Sequence, residues 1–170
     1  MNEKEIYDKV VSILKAKKDI AIINVIETWG SSPRPVGSVM VVSEDQQVFG
    51  SVSGGCIESY VFGKALEVIK LNKVITLEFG VTNKKAWEVG LTCGGKIKVF
   101  IEKLTHTNLD YAKKITTNLS LNKSIIVATN INNGKKHIIN HNNLTLNKII
   151  NPLEKAAVNL KESELKLINN

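Results

Sequence analysis

The sequence has little cysteine, proline or aromatic residue: two cysteines and three prolines in 170 positions, and 5% aromatics. Two cysteines do not make the disulfide framework of a small secreted domain, and a reducing compartment would keep them as thiols. No apolar run approaches the roughly 20 residues of a membrane-spanning helix, and the charged start, MNEKEIYDKV, is unlike a signal peptide. We therefore expect a cytoplasmic protein, without a membrane partner, whose thiols can be reactive.

Arginine is almost absent. Arg34 is the one arginine, and every other basic residue apart from the histidines is lysine. The net charge of +7 could attract a phosphate backbone through its summed field. However, the lysines are spread singly and in short pairs, without interleaved aromatics or a nucleic-acid motif. The charge pattern therefore argues against nucleic acid as a partner.

Glycine is scarce in the last third of the chain. Ten of the eleven glycines, both cysteines and two of the three prolines lie between residues 30 and 95. The last third is rich in asparagine and holds His106, His137 and His141, which are interpreted as surface residues rather than metal ligands. Because binding loops concentrate such special residues, chemistry is expected in the first two thirds.

The hydrophobic patterns alternate between helical and extended periods along the chain, which predicts an α/β or α+β sandwich with a mixed β-sheet flanked by helices. Helices are expected at 3–17, 56–71 and 108–119, with a weakly helical tail at 153–168. Strands are expected at 20–27, 38–43, 48–53, 74–79, 97–101, 124–129 and 136–139.

Arg34 lies between Pro33 and Pro35 in the loop after the first predicted strand. Its guanidinium offers a planar fork that fits phosphate or carboxylate, which lysine cannot reproduce. The flanking prolines limit the backbone freedom lost when a ligand binds. Arg34 either binds an anionic ligand or pairs with a local carboxylate or loop carbonyls, and the sequence weighs the two about equally.

The segment GSVSGGCIE at 50–58 is predicted to be a strand-to-helix junction, with Cys56 near the first helical turn. Gly54 and Gly55 would let a ligand approach the backbone, and free amides at a helix N-terminus attract anions and favour thiolate. Alternatively, the glycines only form a tight turn and Cys56 is a small buried hydrophobic residue. Glu58 either complements the helix dipole or serves as a proton acceptor or ligand partner.

The segment TCGG at 92–95 repeats this arrangement of a cysteine beside a glycine pair. Two cysteines without C-x-x-C spacing fall short of the four ligands of a structural zinc site. Two thiols would instead suit a soft metal, or a sulfur-bearing ligand that arrives with its own coordination sphere.

Three motifs, GSSPRPVGSVMVV at 30–42, GSVSGGCIE at 50–58 and GLTCGGKIKVFIE at 90–102, closely resemble the XdhC/CoxI family in order and approximate spacing. The resemblance implies an XdhC/CoxI-like domain at residues 1–104, and residues 105–170 are expected to be a C-terminal extension packing on that domain. Many family members continue into a Rossmann-like domain. Because Gly134 is the single glycine after residue 104, a G-x-G-x-x-G turn cannot form there, so the chain resembles a short form or one half of a split pair.

What the family resemblance implies is an accessory maturation factor, or chaperone, rather than a conventional enzyme. Its transient cargo would be molybdenum cofactor, and its client would be a molybdenum hydroxylase such as xanthine dehydrogenase or aerobic carbon monoxide dehydrogenase. A cysteine desulfurase would be a further partner during sulfuration, and a separate Rossmann-domain half is another. A homodimer is also expected.

The resemblance also implies a cofactor site made from the three motifs. Arg34 and the amides of Gly54 and Gly55 would bind the terminal phosphate of molybdopterin, while Cys56 and Cys93 are the candidate thiols and molybdenum contacts. The alternative function is a thiol-based sulfur-transfer or redox enzyme that uses these cysteines, and a simple anion-binding module ranks third. The expected site residues are Ser31, Arg34, Gly37, Ser53, Gly54, Gly55, Cys56, Glu58, Cys93, Gly94 and Gly95.

Overall fold

The computed structural model describes residues 1–32, 34–80, 95–123 and 125–139. Its helices are α1 (Glu3–Lys15), α2 (Glu58–Leu71) and α3 (Leu109–Ser120), the last preceded by a 3₁₀ turn at His106–Asn108. Its strands are β1 (Ile20–Trp29), β2 (Val39–Ser43), β3 (Val48–Gly50), β4 (Ile75–Phe79), β5 (Lys96–Leu104), β6 (Ile126–Thr129) and β7 (Lys136–Ile139). Five strands form one sheet in the order β3-β2-β1-β5-β4, and β6 and β7 form a hairpin.

Helices pack on both faces of the five-stranded sheet. Because side chains alternate along a strand, Ala21 and Ile23 of β1 pack in the core beneath α2, whereas Ile20 and Ile22 pack in the core beneath α1 and α3. Helix α1 supplies its apolar stripe, Ile6, Tyr7, Val10 and Leu14, to the second core. The predicted sandwich, a sheet flanked by helices, is confirmed.

The strand pairings decide between the two fold classes. Each of the four pairings in the sheet is antiparallel, so the α+β alternative applies, and the described sheet contains no parallel pair of the kind a mixed sheet would have. Short connections join β1 to β2 and β2 to β3, and such connections favour antiparallel neighbours.

Within the described ranges, no helix is both long and apolar enough to cross a bilayer.

Two predicted boundaries differ from the structure at the GSVSGGCIE segment. Strand β3 ends at Gly50 rather than at 53, and α2 begins at Glu58, so Cys56 precedes the helix. The reason is local. The Ser51 amide still donates to the Val39 carbonyl at 3.1 Å, but the amides of Val52 and Ser53 donate to the Glu58 side chain instead of continuing the ladder. The predicted helical tail at 153–168 lies outside the described residues.

Candidate functional site

The strand register brings the three sequence motifs to one end of the sheet. Trp29 at the end of β1 lies opposite Lys96 at the start of β5, and Met40 near the start of β2 lies opposite Gly50 at the end of β3. The connections 30–38 and 51–57 begin or end here, as do the described residues Gly80 after β4 and Gly95 before β5, so we call it the motif end. Sequence spacing alone does not place these segments together, since β5 pairs with β1 across about seventy intervening positions.

The loop at 51–57 is folded around the carboxylate of Glu58. Glu58 Oε1 accepts hydrogen bonds from the hydroxyl of Ser51 at 2.7 Å, the amide of Ser53 at 2.9 Å and the amide of Val52 at 3.2 Å. Oε2 accepts from the amide of Gly55 at 2.8 Å and from the hydroxyl of Ser53. One side chain therefore organises five donors from the segment that precedes it.

The amides of Gly54 and Gly55 have partners within the loop. Gly55 donates its amide to Glu58, and Gly54 donates its amide to Ser51 Oγ at 3.0 Å. Both glycines have positive φ, 77° at Gly54 and 120° at Gly55, a conformation that other residues rarely adopt. In this loop conformation both amides donate to groups of the protein itself.

Ser53 connects the loop to helix α2. Its side chain is buried, its hydroxyl donates to Glu58, and its Oγ accepts the amide of Ile57 at 3.0 Å. An accepted amide at a helix start satisfies one of the donors that the first turn leaves without a partner. Ser53 thus satisfies the amide of the N-cap residue Ile57, whose own side chain makes no capping hydrogen bond.

The pKa of Glu58 reflects this enclosure. Partial burial would raise the pKa, but hydrogen bonds from the Ser53 and Ser51 hydroxyls and from the backbone outweigh burial and lower the pKa to about 2. Glu58 is therefore ionised at neutral pH with its lone pairs occupied, which suits a positioning residue better than a proton acceptor for a ligand. Ser51 was missed from sequence, although serines five and seven residues before a glutamate are a signal that could have indicated it.

Cys56 lies at the outer end of the same loop, two residues before α2. Its side chain is half-buried and packs against the core beneath α2, so the thiol is neither fully enclosed nor fully exposed. Among the described residues, no group of three His, Cys, Asp or Glu side chains is arranged to hold a metal ion. Cys93 and Gly94 lie outside the described residues.

Arg34 is exposed in the β1–β2 loop. Its carbonyl oxygen accepts the hydroxyl of Ser32 at 3.0 Å, which fixes the backbone beside it. None of the ion pairs among the described residues includes the guanidinium. Among the described residues, Arg34 therefore has no carboxylate partner. Further along the loop, Gly37 has φ of 88°, and its amide donates to the Val25 carbonyl of β1 at 2.9 Å.

Gly95 joins the first and third motifs. A Cβ built on Gly95 would lie 3.0 Å from the carbonyl carbon and oxygen of Ser31 and 3.1 Å from the amide nitrogen of Ser32. A side chain at residue 95 would therefore require the β1–β2 loop to shift by a few tenths of an ångström. The structure thus brings Ser31 and Gly95 together.

Substituting Gly95 by alanine is expected to push the β1–β2 loop away from β5, with a loss of stability of about 1–2 kcal/mol from the backbone contact. Gly63→Ala is the matched control, because a Cβ there meets nothing within 4 Å in α2. Thermal unfolding would be measured for both variants. Equal behaviour of the two would contradict the close packing.

Two open clefts lie at the opposite end of the sheet. One of about 500 Å³ is lined by Glu102, Lys136, Asn108 and Gly134 among others, and a neighbouring one of about 480 Å³ shares the last three of these residues. Neither is lined by a described residue of the first two motifs, so both clefts lie away from the motif end.

Comparison with known proteins relates the N-terminal part of the chain to a family. Residues 13–80 match the XdhC and CoxI family, so the resemblance inferred from the motifs is confirmed over that segment. The chain is 33% identical over 94 residues to the molybdenum cofactor insertion chaperone PaoD of Escherichia coli (strain K12), covering 55% of this chain and 29% of that protein. It is 24% identical over 116 residues to a probable xanthine dehydrogenase subunit of Bacillus subtilis (strain 168), covering 67% and 35%.

A solved structure shows the same fold. A xanthine dehydrogenase from Bacillus halodurans matches with a TM-score of 0.68 and 24% identity, over 82% of this chain and 42% of that chain. The chain spans about a third of the length of the two curated relatives named above.

Proposed function

We propose that this chain, which carries an XdhC/CoxI-family segment at residues 13–80, is an accessory factor that binds molybdenum cofactor at the motif end and assists its insertion into a molybdenum hydroxylase. The observation that carries the proposal is the meeting of three motif connections at one end of the sheet, with an exposed Arg34 and a half-buried Cys56. A relative named as a molybdenum cofactor insertion chaperone supports it.

The chain's own residues suit such a cargo in two respects. Arg34 supplies a guanidinium fork for the terminal phosphate, in place of the glycine amides, which are occupied. Cys56 supplies a soft donor near a dithiolene-bound metal. Because only a few exposed groups would contact the cofactor, binding would be reversible, as transfer of the cofactor to a client requires.

The finer parts of the proposal concern partners and place. The client would be a hydroxylase such as xanthine dehydrogenase or aerobic carbon monoxide dehydrogenase, and a cysteine desulfurase would act while the metal acquires sulfur. We further propose a cytoplasmic homodimer, a division between a domain at 1–104 and an extension at 105–170, and cooperation with a separate Rossmann-domain half. The thiol site would comprise Cys56 and Cys93.

Substituting Arg34 by lysine is expected to weaken cofactor binding about tenfold, because an ammonium keeps the charge but loses the paired hydrogen bonds. Arg34→Ala should weaken binding further. Lys123→Ala, an exposed cation after α3, serves as the control and should bind as wild type. Anaerobic gel filtration with metal analysis gives the retained molybdenum.

Two results would contradict these assignments. If wild type retains no molybdenum, the carrier function fails for this chain. If wild type retains it and Arg34→Lys retains it equally well, Arg34 does not bind the phosphate by its fork.

A sulfur-transfer enzyme is the second candidate, favoured by the position of Cys56 just before the N-terminus of α2. In that case a desulfurase persulfide would pass its outer sulfur to the Cys56 thiolate, and the desulfurase thiolate would leave. Mass spectrometry after incubation with a cysteine desulfurase and cysteine, on wild type and Cys56→Ser, would detect the added sulfur. Unmodified Cys56 and Cys93 would sink this candidate.

A further inference from the structure

Trp29 is a large aromatic side chain that the structure leaves in solvent. Its side chain is 67% exposed, whereas the other described aromatic residues are buried or half-buried: Tyr7, Phe49, Tyr60, Phe62, Phe79, Phe100 and Tyr111. Burying an aromatic side chain removes a large apolar surface from water, and indole rings that remain exposed are enriched where a partner will cover them. The position of Trp29 at the motif end therefore calls for a functional explanation.

A β-bulge determines where the indole points. Val25 lies opposite Val99 and Glu27 lies opposite Lys98, so Ile26 is an extra residue in β1. Without it, alternation would put Trp29 on the same face as Val25, in the core beneath α2. The bulge reverses the alternation and places Trp29 opposite Lys96 on the other face.

Lys96 adds a positive charge beside the ring. Its Nζ lies 5.8 Å from the centre of the Trp29 ring. On the next cross-strand pair, Lys98 is balanced by Glu27 at 3.6 Å, whereas no ion pair among the described residues includes Lys96. Gly80 leaves room for the lysine stem, since a Cβ there would lie 2.8 Å from Lys96 Cγ.

An exposed indole with an adjacent ammonium has a definite recognition chemistry. A flat heteroaromatic ring stacks on the indole face, and carbonyl or anionic groups on that ring interact with the cation. Arg34 lies in the loop that begins directly after Trp29, so a ring at Trp29 and a phosphate at Arg34 fit one elongated ligand. The cation–π contact between Lys96 and Trp29 does not by itself explain why most of the indole is left in solvent.

We propose that Trp29 is the stacking surface for the pterin ring system of the cofactor, with Lys96 beside it as the electrostatic partner. This inference rests on the proposed function, because it assigns the ring of the same cargo whose phosphate is given to Arg34. It adds a ligand-contacting residue that lies outside the motif residues assigned from sequence.

The test uses the full chain with Trp87→Phe, which leaves Trp29 as the one tryptophan. Two probes are titrated anaerobically while Trp29 fluorescence is followed: metal-free pterin-6-carboxylate and isolated molybdenum cofactor. Both are expected to quench the emission. Trp29→Leu should weaken the binding of each probe about tenfold or more, and Trp29→Phe by less, since stacking on a smaller ring is retained.

Leu121→Ala is the matched control, because Leu121 is also a large exposed apolar residue, at 57%, but follows α3. It should bind both probes as wild type. Trp29→Leu and Trp29→Phe have no tryptophan emission in this background, so equilibrium dialysis of both probes gives the affinities of all variants.

The outcomes separate the stacking from the proposed function. If wild type retains the cofactor and Trp29→Leu retains it equally well, the stacking assignment is overturned and the carrier function stands. If pterin-6-carboxylate quenches Trp29 and is lost in Trp29→Leu while the cofactor is not retained, the stacking is supported and the carrier function fails. If neither probe quenches the Trp29 emission, the stacking assignment is overturned.

Discussion

Replacing Glu58 by glutamine is expected to lower the free energy of unfolding by about 2 kcal/mol, the range for hydrogen bonds made to a charged group. The glutamine amide keeps one acceptor oxygen, but its NH₂ group would face donors. At Oε2 these donors are the Gly55 amide and the Ser53 hydroxyl. The loop must then open or leave donors without acceptors, and urea unfolding monitored by circular dichroism would measure the loss.

Glu67→Gln in the same helix is the control, because Glu67 is exposed and pairs with Lys64 at the surface. Its effect should stay within about 0.5 kcal/mol, as for other exposed ion pairs. A second readout follows the loop itself: the rate at which Cys56 reacts with a disulfide reagent should rise in Glu58→Gln and stay constant in Glu67→Gln. Equal stability and thiol reactivity of Glu58→Gln and wild type would refute the positioning role.

Acid should reproduce part of this effect in the wild type. The pKa of Glu58 falls from its ordinary 4.5 to about 2 on folding, because the hydroxyl and amide donors outweigh burial. The unfolded chain therefore binds the proton more readily, so this contribution to stability is complete above pH 4.5 and is lost as pH falls towards 2. Glu58→Gln should lack this component of the acid transition.

Much of the layered fold could be predicted from the hydrophobic periods. The run at residues 20–27 indicated a strand buried on both faces, and α1 was indicated by its apolar stripe ending in lysines. The pairing of β1 with β5 could not be predicted, since nothing local in either strand specifies the partner. That pairing is what places the third motif beside the first.

The candidate site shows a similar limit. The motif segments were found from their glycines, cysteines and single arginine, but the destination of each hydrogen bond depends on the path of the loop. Glu58 follows its donors by three to seven residues and folds back to them, so a residue chosen as a ligand group is placed as a support. The bulge at Ile26 was also hidden, because an unbroken apolar run has no alternation in which an extra residue would show.

The ion pair between Glu102 of β5 and Lys136 of β7 gives the second large effect, at the end of the sheet away from the motifs. Both side chains are enclosed, with 4% and 10% of their surfaces exposed. Substituting Lys136 by methionine would leave Glu102 buried without its cation. The free energy of unfolding should fall by about 3 kcal/mol, as for other buried pairs deprived of one partner.

Lys135→Met is the control, because Lys135 is exposed and adjacent in sequence, and its effect should be near zero. The double variant Glu102→Leu with Lys136→Met should recover most of the stability, since it removes the unpaired charge together with its partner. Urea unfolding of the four proteins forms the comparison. A Lys136→Met protein as stable as wild type would show that the hairpin does not depend on this pair.

The pH dependence of Lys136→Met distinguishes a buried charge from a simple loss of packing. Burial raises the pKa of Glu102, while the charge and hydrogen bond of Lys136 lower it, so removing Lys136 raises this pKa further. A carboxyl group whose folded pKa lies above its unfolded value binds its proton more tightly in the folded state, and its destabilising effect grows as pH rises above the unfolded value. Lys136→Met should therefore lose more stability at neutral pH than in mild acid, whereas a packing defect would give the same loss at both.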